Sequence, residues 1–352
     1  MSQLEAIDFG HRQLVVRREP MLSLRASWRS VTVLAILAAG AAVMAVLALG
    51  VGEYPVPPGQ VIDVLTGRDQ SFASVLVLEW RMPRILLALL IGAALGVSGA
   101  IFQALTRNPL GSPDVIGFDF GAYTGALTAI ALLGGGYYTV SVSAVIGGLA
   151  TAIVVYLLSY KNGLAGFRLI IVGIAVSAVL SSLCQWIILK IKLHQAITAS
   201  IWQQGSLSGL EWAQVYPVTG GLVVAVALLL VVGPKLPILQ MGDDAAGALG
   251  LRPERARLAY FGIGVLLIAI AAAAAGPISF VALAAPQLAR RLTGAPGVGL
   301  VSAAAMGAFL LLGSDLVALR LFAPTELPVG AITVTLGGLY LVYLLVVQAR
   351  RR

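Results

Sequence analysis

The chain has 352 residues, of which 59% are hydrophobic and only 11% charged, with a mean hydropathy of +0.96 and a net charge of +8. A soluble domain of this length is never so apolar, and apolar runs of about 20 residues without strand-like alternation exclude an outer-membrane barrel. The composition leaves an all-α polytopic membrane protein.

Residues 1–29 are polar and basic, and no small-residue cleavage site follows a short hydrophobic region, so they read as an N-terminal tail and not a signal peptide. Residues 30–352 then read as a single transmembrane domain of about ten helices. The predicted spans are 30–50, 84–105, 114–133, 140–159 and 168–189, then 213–233, 258–275, 277–289, 298–319 and 328–347.

The second and third spans form a tight hairpin. Pro83 suits the first turn of a helix, and Ile85 to Leu105 carries no charge. Gly92, Gly96 and Ala100 recur every fourth residue and present a small-residue seam to a neighbouring helix. Arg107-Asn108-Pro109 stops that helix, and Ser112-Pro113-Asp114 is expected to start the next as N-cap, N1 proline and acidic first turn. Asp114, Asp119 and Asp315, all near span ends, read as caps or interface groups.

The segment from Gly233 to Arg257 lies between the sixth and seventh spans. Asp243 is expected to N-cap a two-turn helix from Asp244 to Leu249, Gly250 to end it, and Pro253 to open the next span. On residues alone this is an interfacial linker. Further on, Gly276-Pro277 and Pro286 interrupt the helical pattern, and broken backbone at membrane depth requires protein or a water-lined cavity around it.

Most of the 23 lysines and arginines fall in alternate loops and at the termini, and only Arg68, Arg81, Arg84, Lys190, Lys192 and Arg320 fall on the other side. The positive-inside rule therefore puts both termini in the cytoplasm. The net charge reflects this topology and not nucleic acid, since no basic patch is interleaved with aromatics. Cys184 is the lone cysteine, and His11 and His194 have no ligand partner at helical spacing, so neither a disulfide nor a metal site is expected.

Four blocks carry a family likeness: RMPRILLALLIGAALGVSGAIFQALTRNPLGSPDVIGFDFGAY (81–123), GDDAAGALGLRPERAR (242–257), GPISFVALAAPQLARRLTG (276–294) and GSDLVALRLFAPTELPVGAITVTLGG (313–338). In this order they resemble the permease subunits of bacterial ATP-driven importers for iron-siderophores, haem and cobalamin. Gln287, where many members have histidine, resembles the ferric-enterobactin branch. Leu339 departs from the family, many of whose members have a proline there.

The resemblance implies the type II ABC importer permease fold, at the bacterial plasma membrane. It implies two ATP-binding-cassette ATPases, a second permease subunit (a homologous chain or a second copy) and an extracytoplasmic substrate-binding protein as partners. Ferric siderophore would be the cargo. Asp243, Asp244, Ala245, Ala246, Gly247, Ala248, Leu249, Gly250 and Leu251 would form the coupling helix against an ATPase, with Leu249 and Leu251 as apolar anchors. Arg81 and Arg84, on residues alone snorkelling arginines or a phosphate anchor, would with Arg320 dock the binding protein. Leu164, Ala165 and Gly166 lie where the inner gate of the family forms.

No GxxxxGK[ST] loop is present, so ATP would be hydrolysed by a partner, and no cofactor is expected on this chain. An ion-coupled secondary transporter, an intramembrane enzyme, or import of haem or cobalamin are the alternatives.

Overall fold

The computed structural model describes residues 13–18, 22–50, 52, 54–114, 116–161, 166–233, 235–295, 297, 299–321 and 325–349. An antiparallel hairpin of β1 (Gln13–Arg18) and β2 (Leu22–Ser27) leads directly into α1 (Trp28–Gly50). Part of the tail thus has structure that its polar, basic composition did not signal. After α1 come α2 (Pro58–Leu65), α3 (Phe72–Val75) and a wide π-helical stretch, Leu76–Arg81, that runs into α4 (Met82–Thr106).

The chain continues through α5 (Phe118–Leu132), α6 (Tyr137–Ser159), α7 (Gly166–Ile188), α8 (Leu193–Gln203) and α9 (Trp212–Val232). Two short helices, α10 (Leu236–Gln240) and α11 (Asp243–Ala248), precede α12 (Pro253–Ala275), α13 (Val281–Thr293), α14 (Leu300–Arg320) and α15 (Val329–Ala349). Each of the ten predicted spans falls on a helix. Among the described residues, seven helical stretches are long and apolar enough to cross a membrane.

Helix α4 is the centre of the bundle and is buried along most of its length, as is α12, whereas α1, α7 and α9 expose most of theirs. The small-residue seam explains the central position. A Cβ at Gly92 would strike the backbone of Gly307 and Ala308 in α14, and one at Gly96 would strike Ala303. One turn on, a Cβ at Gly99 would overlap the carbonyl of Ala282 in α13. Pro286 has no N–H to bond that carbonyl, yet α13 runs through it unbroken.

Helices α5 and α13 have 15 and 13 residues, about 20 Å each and too short for a hydrocarbon core of about 30 Å. The expectation that Ser112-Pro113-Asp114 opens the third span is corrected here. The helix begins at Phe118, because Gly117 at φ 91° turns the chain in a left-handed conformation that resets its direction. Gly117 packs on Gly173 and Ser177, about 10–17 Å along α7 from its first residue. The described backbone of 108–114 and 116–117 is therefore irregular and runs from beside the start of α7 to Gly117, well inside the bundle. Opposite it, Phe280 at φ 79° caps α13 and packs on Gly337, about 12 Å along α15. Two short helices thus start well inside the bundle, joined at their N-terminal ends by the bonds of Asp114 and Asp119 to Phe280 and Ser279.

Candidate functional site

Helix α4 carries an arginine near each end, Arg84 bound to two acidic residues and Arg107 to one, all from distant parts of the chain. At the C-terminal end, Arg107 adopts φ 50° as the left-handed cap of α4. Its Nη2 donates to the carbonyl of Leu239 in α10 at 3.1 Å and pairs with Asp243 Oδ1 at 2.9 Å. Arg257 of α12 binds the same carboxylate through both terminal nitrogens, Nη1 reaching Oδ2 at 3.0 Å. One carboxylate thereby ties α11 to α4 and to α12.

That geometry corrects the expected cap. Gly242, at φ 115°, is the N-cap of α11, and Asp243 is its first residue, with its side chain turned to the two arginines. Gly250 takes a left-handed φ of 77° after the helix, and Pro253 opens α12, both as expected. Ala246 is fully buried, Ala245 and Leu251 are half-buried, and Asp244, Gly247, Ala248, Leu249 and Gly250 are exposed. Leu249 and Met241 stand out as apolar side chains at 65% and 70% exposure. Leu251 instead packs on the core, so only Leu249 of the two expected anchors is presented outward. Tyr260 Oη donates to the carbonyl of Gly233 and holds the start of the loop to α12.

At the other end of α4, Arg84 binds Asp315 of α14 through Nε and Nη2 at 3.0 and 2.9 Å, and Glu326 through Nη1 at 2.9 Å. Ser208, in the α8–α9 connection, donates to the same Glu326 oxygen. Burial pushes the Glu326 carboxyl up, but the hydrogen bonds from Ser208 and Arg84 and the charge of Arg84 outweigh it and hold it below the usual range. Arg81 donates to the carbonyls of Leu49 and Tyr54 and so anchors the end of α1. Both arginines are engaged within the chain, whereas Arg320 is exposed. A cavity of about 480 Å³ opens beside them, lined by Tyr54, Trp80, Arg84, Glu211 and Glu326 among others.

Between the two ends, Gln287 is buried and donates through Nε2 to the carbonyls of Pro109 and Leu283 at 2.7 and 3.3 Å. Gln103 reaches the same Leu283 carbonyl at 2.9 Å. Gln287 is thus a satisfied polar tie between α13 and the irregular segment. Nearby, the N–H of Phe280 donates to Asp114 Oδ2 and Ser279 Oγ to Asp119 Oδ2, both at 3.1 Å. Asp114 is therefore a cap, but of α13 and not of the helix that follows it in sequence.

Of the expected gate, Leu164 and Ala165 lie outside the described residues. Gly166 is placed at the start of α7, where a Cβ would meet the backbone of Thr106. The partners Asp315, Glu326 and Ser208 carry roles that sequence reasoning missed. Asp315 did carry a signal, since an acidic residue inside an apolar run of 20 or so residues is costly unless paired.

Comparison with known proteins bears on the family and the fold. The FecCD transport family matches residues 27–347. The chain is 46% identical over 317 residues to the ferric enterobactin transport system permease protein FepG of Escherichia coli (strain K12), covering 90% of this chain and 96% of that protein. It is 34% identical over 308 residues to the iron(3+)-hydroxamate import system permease protein FhuG of Bacillus subtilis (strain 168), covering 85% and 92%. A solved chain described as a metal-chelate type ABC transporter in an inward-facing conformation superposes with a TM-score of 0.76 at 28% identity, covering 90% of this chain and 99% of that one.

Proposed function

The chain belongs to the FecCD transport family, and from that premise we propose that it is the membrane permease subunit of an ATP-driven importer whose cargo is a ferric siderophore of the enterobactin-like catecholate kind. It is a transport subunit of an integral membrane assembly, and in this family ATP hydrolysis belongs to separate ATPase subunits. The observation that carries the cargo is the 46% identity to the ferric enterobactin permease, sustained over 90% of this chain. Family membership sets aside the ion-driven carrier and the intramembrane enzyme.

The Arg107 end is the cytoplasmic one, in the bacterial plasma membrane, with both termini on that side. Two ATPases engage the permeases there, each gripping the segment from Asp243 to Leu251. The exposed face of α11 and Leu249 supply the contact, and Asp243 passes displacement of α11 to α4 and α12 through Arg107 and Arg257. The chain itself holds no nucleotide or other cofactor. A second permease, either a homologous chain or another copy, completes the path about a two-fold axis.

The substrate-binding protein docks at the Arg84 end. Arg320 is the exposed charge for it, while Arg81 and Arg84 set the shape of that surface from within. Gly166 narrows the cytoplasmic side of the path, where its close approach to Thr106 leaves no room for a side chain, while the other two gate positions, Leu164 and Ala165, lie outside the described residues.

The test is co-purification with the ATPase and binding protein, followed by ATPase assays with ferric catecholate, ferric hydroxamate, ferric citrate, haem and cobalamin, each with its own binding protein. Stimulation by the ferric catecholate is expected. Stimulation by one of the others alone would overturn the cargo assignment.

A further inference from the structure

At the Arg107 end of α4 a cavity of about 200 Å³ is lined by Gln103, Arg107, Asn108, Gln240 and Arg290 among others. These residues come from the end of α4, the turn after it, α10 and the last turn of α13. The charge-free run 85–105 stops just short of Arg107, so the cavity lies at the depth of lipid headgroups. Both arginines stand at a helix C-terminus, where a cation ordinarily answers the exposed carbonyls. Neither has that task here. The N–H groups of Arg107 and Asn108 bond to the carbonyls of Ala104 and Gln103 at 3.4 and 3.3 Å, and Arg29 donates to those of Leu292 and Arg291 at 2.7 and 3.2 Å.

The donors are therefore left for something else. Arg107 uses only Nη2 within the chain, on Leu239 and Asp243, so its Nε and Nη1 remain open. Arg290 is exposed, and its guanidinium has no partner among the described residues. Asn108 accepts the N–H of Leu110 at Oδ1, which leaves its amide nitrogen as a further donor, and Gln240 adds a second amide. Among the described residues no carboxylate lines the cavity. Asp243 is already shared by Arg107 and Arg257, so the charge of Arg290 goes unanswered. Surplus guanidinium charge beside amide donors suits a phosphate-type oxyanion, whose oxygens match the planar fork of arginine.

We propose that this cavity binds a phosphate group between Arg107 and Arg290. At headgroup depth the group belongs either to an anionic lipid or to phosphate from solution, and both present the same oxygens. By neutralising Arg107 it weakens the Arg107–Asp243 pair and leaves Asp243 to Arg257. The cavity thereby connects α11 to the anions around it. Any effect on ATP-driven coupling rests on the proposed function, but the binding does not.

The experiment uses the full chain in phosphatidylcholine nanodiscs, with and without phosphatidic acid. Equilibrium dialysis with radiolabelled inorganic phosphate, at constant ionic strength in chloride, compares the wild type with Arg107→Gln, Arg290→Gln and Arg290→Lys. Native mass spectrometry of the same samples counts the phosphatidic acid retained. Arg291→Gln is the control for loss of a neighbouring charge, since Arg291 lies over the Tyr340 ring and does not line the cavity. Saturable binding of phosphate or retention of phosphatidic acid is expected, weakened about 10–100-fold by Arg290→Gln or Arg107→Gln, less by Arg290→Lys and least by Arg291→Gln. Phosphatidic acid that displaces phosphate identifies a headgroup as the occupant, and phosphate that binds equally beside it identifies the free ion. Absence of both saturable phosphate binding and Arg290-dependent lipid retention overturns the proposal. So does binding that Arg291→Gln weakens as much as Arg290→Gln, since that is attraction to a basic surface and not a site.

Discussion

The two ends of α4 use the same chemistry, an arginine bound to carboxylates from elsewhere in the chain, under opposite conditions of solvent. At one end the side chains of Arg84 and Asp315 are 13% and 2% exposed; at the other those of Arg107 and Asp243 are 45% and 52% exposed. The difference in desolvation decides what each pair does. A buried pair adds little net stability, yet removing one partner strands a charge away from water. An exposed pair is weak, is screened by salt and re-forms readily. The Arg84 cluster is therefore a lock that fixes α4 to α14 and to the loop at Glu326. At the other end the exposed Arg107–Asp243 pair is a latch, weak enough to move, while Asp243 stays tied to Arg257 of α12, whose side chain is 9% exposed.

The largest expected effect is on the lock. Arg84→Ala leaves Asp315 buried and unpaired and should cost about 3–5 kcal/mol, measured by denaturant unfolding of the purified protein. Replacing both partners with apolar residues, Arg84→Met with Asp315→Leu, should recover most of that loss. If the double variant were no better than the single one, the lock would owe its stability to something other than desolvation.

Between the two ends the seam carries the connection. Gly99→Val forces a side chain into the Ala282 carbonyl and should cost about 1–3 kcal/mol in the same assay. On the latch, Arg107→Gln removes only the exposed pair and leaves Asp243 with the buried Arg257, so it should change stability by less than about 1 kcal/mol, and that small change should shrink further as salt rises. An equal salt dependence for Arg84→Ala would erase the contrast between the ends.

The smallest effect is in pH. The Glu326 carboxyl is held below the usual range when folded, so its contribution is complete above the ordinary glutamate value of about 4.3 and is lost as pH falls through the lower folded value. Thermal stability should be flat in this respect from neutral pH down to about 5, with a decline below about 4 that Glu326→Gln reduces.

How much of this was legible in the sequence depends on how local each feature is. The ten helices, the stop at Arg107, the turn at Gly250 and the opening of α12 at Pro253 all follow from runs, caps and breakers within a few residues of each other. The lock joins residues 231 apart and the latch residues 136 apart, and no local pattern encodes such pairings. Depth was the other blind spot. Asp114 and Asp119 sit at the head of an apolar run and look like ordinary caps, because a run records its length and not where in the bilayer it begins. Only the left-handed turn at Gly117 and its packing on α7 place them inside.

If, as proposed, Asp243 transmits motion of α11 to α4 and α12, altering its carboxylate uncouples ATP hydrolysis from transport. The most direct test places Asp243→Asn, with Asp243→Glu as the conservative control, in the assembled importer and compares ATPase stimulation by loaded binding protein with cargo uptake. The latch predicts that assembly and basal ATP hydrolysis are retained, that uptake per ATP falls for the asparagine variant, and that glutamate restores part of it. Wild-type uptake per ATP from the asparagine variant would contradict it.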